Sequence, residues 1–191
     1  ESLALAQRVT LKPSRGRKFL SRVKNNAQTL THAHRRINRA VSEKHSIPPA
    51  AEWLLDNFHI IEEQVREIHD DLPPSFYKEL PKLTDGFLQG YPRIFGLAWA
   101  FVAHTDSRFD ADWLRRFVRT YQRSGPLYIG EIWALAISLR IVLVENLRRL
   151  AERIALSLDA RDEADALADN LLGIMNRKGD PAAPLYPFQD A

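Results

Sequence analysis

The stretch Pro49–Pro74, PAAEWLLDNFHIIEEQVREIHDDLPP, decides how the rest of the chain is read. Leu54, Phe58, Ile61, Val65 and Ile68 recur at spacings of three and four, which predicts a single helix with one apolar stripe, stopped by Pro73 and Pro74. Asp56, His59, Glu63, Arg66 and Asp70 recur at the same spacing on roughly the opposite side. Their signs alternate when His59 is charged, the pattern of a solvated ion ladder worth roughly a few tenths of a kcal/mol per pair. A histidine flanked by carboxylates could also ligate a metal, but it would need further ligands from other helices. The ladder is therefore the expected role.

Working outward, the same helical period covers almost the whole chain. An amphipathic helix is predicted from about Arg17 to Lys44, broken by Ser46–Pro49, and a short helical piece at Pro74–Leu83 leads into the glycine-rich loop Thr84–Pro92. Pro92 suits the first turn of a helix running to about Thr105, in which Gly96, Ala100 and Ala103 offer a small-residue face for close approach. Further helices are expected over Ala111–Arg123, Ile129–Leu158 and Arg161–Arg177. No convincing alternation of apolar and polar residues marks a strand. The expectation is an all-α, single-domain bundle of about six or seven helices: a flexible basic lead-in over residues 1–16, a helical domain over 17–177, and a Pro-rich tail or linker over 178–191.

Composition narrows the function classes. The 191 residues include no cysteine, which excludes disulfides and thiolate metal sites. No apolar run approaches the roughly 18–20 residues needed to span a bilayer, and the first ten residues do not read as a signal peptide, so a soluble fragment is expected. The chain begins with Glu rather than Met, which suggests a piece of something longer. Residues 1–44 carry eleven Lys or Arg against Glu1 and Glu43, a net +9, which leaves −6 for the remainder of a chain whose total is +3. This arm and the acidic body should attract each other. Its cluster Lys12, Arg15, Arg17, Lys18, Arg22 and Lys24 could alternatively meet an anionic membrane surface or another partner. Nucleic acid is not expected, because Phe19 is the arm's one stacking aromatic and no binding motif accompanies it.

Local catalytic chemistry is sparse. His104 and Asp106 sit at a helix end, where they favour the helix terminus and capping over catalysis. Asp110 and Asp112 resemble a metal-binding Asp-x-Asp pair, but they open a helix, where acids answer its partial positive charge. A phosphate-binding glycine loop, a nucleophile elbow and a His-Glu-x-x-His motif are all missing from the sequence. Arg140 is the more informative charge. Ala136, Ile137, Leu143 and Val144 surround it, while Glu131, Ser138, Glu145 and Glu152 form a polar strip on the other side of the helix. Arg140 is therefore expected to be buried and paired across helices, with Asp56 or Asp106 as candidate partners.

Four blocks carry a family resemblance: PAAEWLLDNFHIIEEQVREIHDDLP, YKELPKL, GYPRIFGLAWAFVAHTDSRFD and IGEIWALAISLRIVLVENLRRLA. Together they resemble the amino-terminal region of bacterial cyclic β-1,2-glucan synthases, over roughly residues 47–155. The resemblance implies a parent inner-membrane glucosyltransferase that polymerises glucose from UDP-glucose, uses a divalent metal, and cyclises the product. The transferase signatures of such enzymes lie elsewhere, so it implies no catalytic residue, metal ligand or cofactor site here. The expected role is a non-catalytic accessory domain packing on the transferase and membrane regions of the same polypeptide, at the cytoplasmic face of the inner membrane. A carbohydrate- or nucleotide-sugar-binding module is the alternative, with Trp53, Trp99, Trp113 and Trp133 as a sugar platform, although helical spacing predicts that most of these are core. A standalone regulatory binding protein is the outlying case.

Overall fold

The computed structural model describes residues 2–12, 16, 17 and 19–173. Among them are eight helices and one pair of two-residue strands, an all-α architecture. The elements run α1 (Ser2–Ala6), β1 (Val9–Thr10), α2 (Phe19–Ser42), α3 (Pro49–Asp56), α4 (Phe58–Asp71), α5 (Pro74–Glu79), β2 (Lys82–Leu83), α6 (Arg93–His104), α7 (Ala111–Ser124) and α8 (Ile129–Leu171). The Pro-rich tail, Arg15 and Lys18 lie outside the described residues.

Three expectations change. The opening stretch is two helices: Asn57 leaves the helical conformation, and its backbone N–H and side-chain Nδ2 both donate to the Trp53 carbonyl, at 3.0 and 2.8 Å, closing α3. The break expected between Leu158 and Arg161 is absent, and α8 continues for 43 residues, since nothing in LSLDARDE forbids helix. The amino-terminal lead-in is structured over much of its length: α1 packs on α7, and β1 pairs antiparallel with β2, Val9 opposite Leu83 and Thr10 opposite Lys82. Two-residue strands are too short to leave a period in the sequence.

The core is built on α8. Its buried positions recur at three and four through Glu131, Ala134, Ser138, Ile141 and Glu145, then again through Ala151, Ala155 and Leu158. Those of α2, Phe19, Val23, Asn26, Leu30, Ala33, Ile37 and Ala40, follow the same rhythm. Two seams of one period pack along each other. The helices run parallel: Arg22 meets Glu145 and Arg36 meets Asp159, each pair 123 positions apart. α6 lies beside the first half of α8 in the same direction, with Arg93 at Glu131 and, just past its end, Ser107 at Asn146. α4 runs the other way, from Phe58 stacked on His34 of α2 to Glu67 and Asp71 at Arg140.

Around the start of α2, Phe19 stacks on Tyr77 and meets Phe95 edge-on, with ring centroids 5.3 and 4.9 Å apart. Gly16 has a positive φ and lies so close to the Gly90 carbonyl that a Cβ would fall 2.4 Å from that oxygen, which requires glycine there. At Gly96 the close approach comes from Gln7 and Leu83, so this position of the small-residue face admits the amino-terminal segment and β2.

Candidate functional site

The polar strip of α8 is the part of the molecule with the most elaborate chemistry, and all of it but the exposed Glu152 points inward. Glu131 is 0% exposed and Glu145 5%, with Ser138 buried between them. Arg93 holds Glu131 through Nε to Oε1 at 2.9 Å and through Nη2 to Oε2, while the same Nη2 also donates to the Pro126 carbonyl. Oε2 of Glu131 reaches back to accept the Tyr128 backbone N–H at 3.0 Å, closing a cap on the start of α8.

Glu145 sits in a second cluster. Arg22 donates to it through Nε and Nη2, both at 3.0 Å, Asn26 donates at 2.7 Å, and Arg22 Nη1 continues to the Tyr91 hydroxyl. Burial pushes the Glu145 carboxyl up, but the hydrogen bonds from Arg22 and Asn26 outweigh it and the net shift is downward. Further along, Arg36 bridges Asp159 and Asp162. The attraction between basic arm and acidic body is thus realised through Arg22 and Arg36. Every one of these carboxylates has a guanidinium on it, so they act as clasps between helices and are poor candidates for acid–base chemistry.

Arg140 does not have the expected placement. It is 39% exposed and pairs with Glu67 at 3.0 Å and Asp71 at 3.5 Å, both on α4; Asp56 and Asp106 are not its partners. The reason is phase. The seam towards α2 and α6 passes through Ser138, Ile141 and Glu145, which leaves Arg140 on the rim beside α4. Of the strip placed on the other side of the helix, Glu131, Ser138 and Glu145 are buried and Glu152 is exposed, whereas the arginine expected to be buried lies at the rim. The sequence carries a partial signal: Glu131, Ser138 and Glu145 recur every seven residues in phase with the apolar Ala134 and Ile141, although the period by itself does not tell a wet face from a buried one.

Asp56, His59, Glu63, Arg66 and Asp70 are all exposed. The kink at Asn57 puts Asp56 on a different helix from the other four, and no two of the five form an ion pair. His104 is exposed and its Nδ1 lies 2.7 Å from the Ala100 carbonyl, while Asp106 is exposed in a turn of positive φ. The cap of α7 is Asp110, whose Oδ1 accepts the N–H groups of Asp112 and Trp113, both at 2.8 Å. Of the basic cluster, Lys12, Arg17 and Lys24 are exposed, whereas Arg22 is committed to Glu145.

Two features went unforeseen. Glu43, His45 and Asp162 bring ligand atoms within 4.8 Å of one another, although Arg36 already sits on Asp162. A cleft of about 440 Å³ opens beside the start of α2, walled by Phe19, Leu20, Leu72, Pro74 and Tyr77. The tryptophans also differ from expectation. Trp99 is half-buried between Phe95 and Phe87 with Arg149 over its face, but Trp53, Trp113 and Trp133 are exposed.

No family model matches the chain. Over 162 residues it is 40% identical to the cyclic beta-(1,2)-glucan synthase NdvB of Rhizobium meliloti (strain 1021). The match takes in 84% of this chain and 6% of that protein, so the chain corresponds to a segment of a much longer synthase.

Proposed function

We propose that the chain is a non-catalytic helical accessory domain of a cyclic β-1,2-glucan synthase. The observation that carries this reading is the coincidence of a segment match covering 6% of a synthase with a core whose acidic groups are held by arginines. In that role the domain packs on the transferase and membrane regions of the same polypeptide, at the cytoplasmic face of the inner membrane. The parent draws glucose from UDP-glucose and uses a divalent metal at a site outside these residues. Among the described residues no helix is long and apolar enough to cross a membrane, which is compatible with a domain lying beside membrane-spanning segments.

The test is deletion of this segment from the intact synthase, paired with calorimetry on the isolated chain. Loss of glucan synthesis from the deleted enzyme, together with no heat of UDP-glucose binding by the chain, is the expected result. UDP-glucose turnover by the isolated chain would overturn it. A second reading, a carbohydrate-binding module, is favoured by the exposed Trp53, Trp113 and Trp133, since exposed aromatic faces can stack on sugars. It predicts a saturable change in tryptophan fluorescence on adding cyclic glucan to the isolated chain, removed by substituting one of those three.

A further inference from the structure

The first two turns of α8 carry their side chains the reverse of the usual way round. Glu131, Ala134 and Ser138 face the core, while Ile129, Ile132, Trp133 and Ala136 face outward. Ile129 is 76% exposed and Trp133 75%, and Tyr128, the residue before the helix, is also exposed. Leaving such side chains in water forgoes roughly 1.5–3 kcal/mol of burial for each large one. An exposed apolar cluster of this kind marks a contact surface.

Arginines dominate the charge around the cluster, although the exposed Glu79 of α5 shares a pocket with Tyr128 and Gly130. α7, joined to α8 by the short segment Gly125–Tyr128, turns Leu114, Phe117, Val118 and Tyr121 inward and presents Arg116, Arg119 and Arg123 to solvent. These three form no ion pair among the described residues, and Arg115 on the same helix is paired with Asp112. From Trp113 to Val144 the sole acidic residue is Glu131, which is buried, so the exposed charges of this stretch are all arginines. Arg123 and Ile129 are six residues apart, within about 20 Å even if that link is fully extended.

Size selects the partner. The apolar stripe spans two helical turns, roughly 10 Å, too short to supply the ~800 Å² per side of a stable protein interface. A bilayer surface asks for less: a Trp and a few aliphatic side chains at headgroup depth, with cations beside them for lipid phosphates. Arginine suits that contact because its planar fork donates two hydrogen bonds to one phosphate.

We propose that the start of α8 and the arginine face of α7 form a peripheral docking surface for a bilayer containing anionic phospholipid. Ile129, Ile132 and Trp133 enter the headgroup region, and Arg116, Arg119 and Arg123 meet the phosphates. This deepens the accessory-domain reading by assigning its membrane-facing side, and it rests on that reading for its setting alone. Lys12 follows Leu11, which lines a pocket with Tyr128 and Gly130, so of the basic cluster it is Lys24 on α2 that lies apart from this surface.

The experiment is co-sedimentation of the whole chain with vesicles of phosphatidylcholine alone or mixed with phosphatidylglycerol, at low and high salt. Binding to the anionic vesicles alone, weakened by salt, is expected. Trp133→Gln with Ile129→Gln should weaken it at least tenfold, and so should the triple change Arg116→Gln, Arg119→Gln, Arg123→Gln. Lys24→Gln should leave it largely intact. All these side chains are exposed, so helical circular dichroism should not change; should either multiple variant unfold, quenching of tryptophan fluorescence by brominated lipid, compared between the unaltered chain and Trp133→Phe, reads the same contact. Equal binding to both vesicle types, loss through the Lys24 change in place of the α7 changes, or a dimer dissolved by Trp133→Gln without lipid binding would each overturn the proposal. Failure here leaves the accessory-domain reading standing, because deletion from the intact synthase tests that separately.

Discussion

Arg93 of α6 grips Glu131 of α8 with two donors, Nε on one carboxylate oxygen and Nη2 on the other, at a position from which water is wholly excluded. The pair ties the start of α6 to the start of α8. Its carboxylate has no second guanidinium to fall back on.

Arg93→Met should therefore leave a buried carboxylate without its counter-charge and cost about 3–5 kcal/mol. Urea denaturation followed by circular dichroism measures this. The double change Arg93→Met with Glu131→Leu should recover much of the loss, because neither charge then needs desolvating.

Glu145 should make stability depend on acid. Its folded-state carboxyl lies below its ordinary value, so the contribution is complete above the unfolded carboxyl range of about 4.3 and is lost as pH falls through the depressed folded value. Melting temperatures taken from pH 7 down to pH 3 should fall less steeply for Glu145→Gln than for the unaltered chain. An identical slope would show that Arg22 and Asn26 do not hold the carboxylate in solution.

Arg140→Met should cost about 1 kcal/mol or less. Arg140 pairs with Glu67 and Asp71 at the rim, where solvent screens the attraction and both carboxylates hydrate freely once it is gone. A loss above about 3 kcal/mol in the same urea experiment would place Arg140 in the core after all.

His59→Ala should change stability by no more than about 0.5 kcal/mol, the usual scale for an exposed substitution. Isothermal titration with zinc should give the same result before and after the change. A stoichiometric metal lost with His59 would make the row a site.

Asp110→Ala should cost about 1 kcal/mol, since Oδ1 accepts two otherwise unpaired N–H groups at the start of α7. Asp110→Asn retains an acceptor and should cost less. Thermal melts of both variants separate the capping effect from a general loss of surface charge.

Helix positions were legible where proline and glycine punctuate the chain. Residues 17–44 were expected as a helix and α2 occupies Phe19–Ser42; Arg93–His104 and Ala111–Ser124 fall equally close. What escaped is partly local and partly set by tertiary partners. Asn57 closes α3 with its backbone N–H and its side chain both on the Trp53 carbonyl, a local arrangement that the sequence does not fix. The period of Glu131, Ser138 and Glu145 is identical on a wet face and on a buried one; the direction was decided by Arg93, Arg22 and Asn26 on other helices. Arg140 was misplaced by the same ambiguity, because apolar neighbours at i±3 and i±4 on α8 include Ala136, which is exposed.

The constant offset of 123 positions between α2 and α8 turns their contact into a ruler. Arg22 and Arg36 mark two graduations fourteen residues apart, and Glu145 and Asp159 mark the matching two. Chain inserted between Ser42 and Ile129, in the loops that separate the two helices, moves the numbering without disturbing the match. One residue inserted between Glu145 and Asp159 rotates everything beyond it by about 100° and unhooks the far graduation; seven residues restore the facing sides but slide that graduation about 10 Å along the axis, so the match returns only if α2 gains seven between Arg22 and Arg36 as well. Length changes tolerated between the two clasps should therefore come in sevens and in both helices together, a signature that alignment of related chains can check without an experiment.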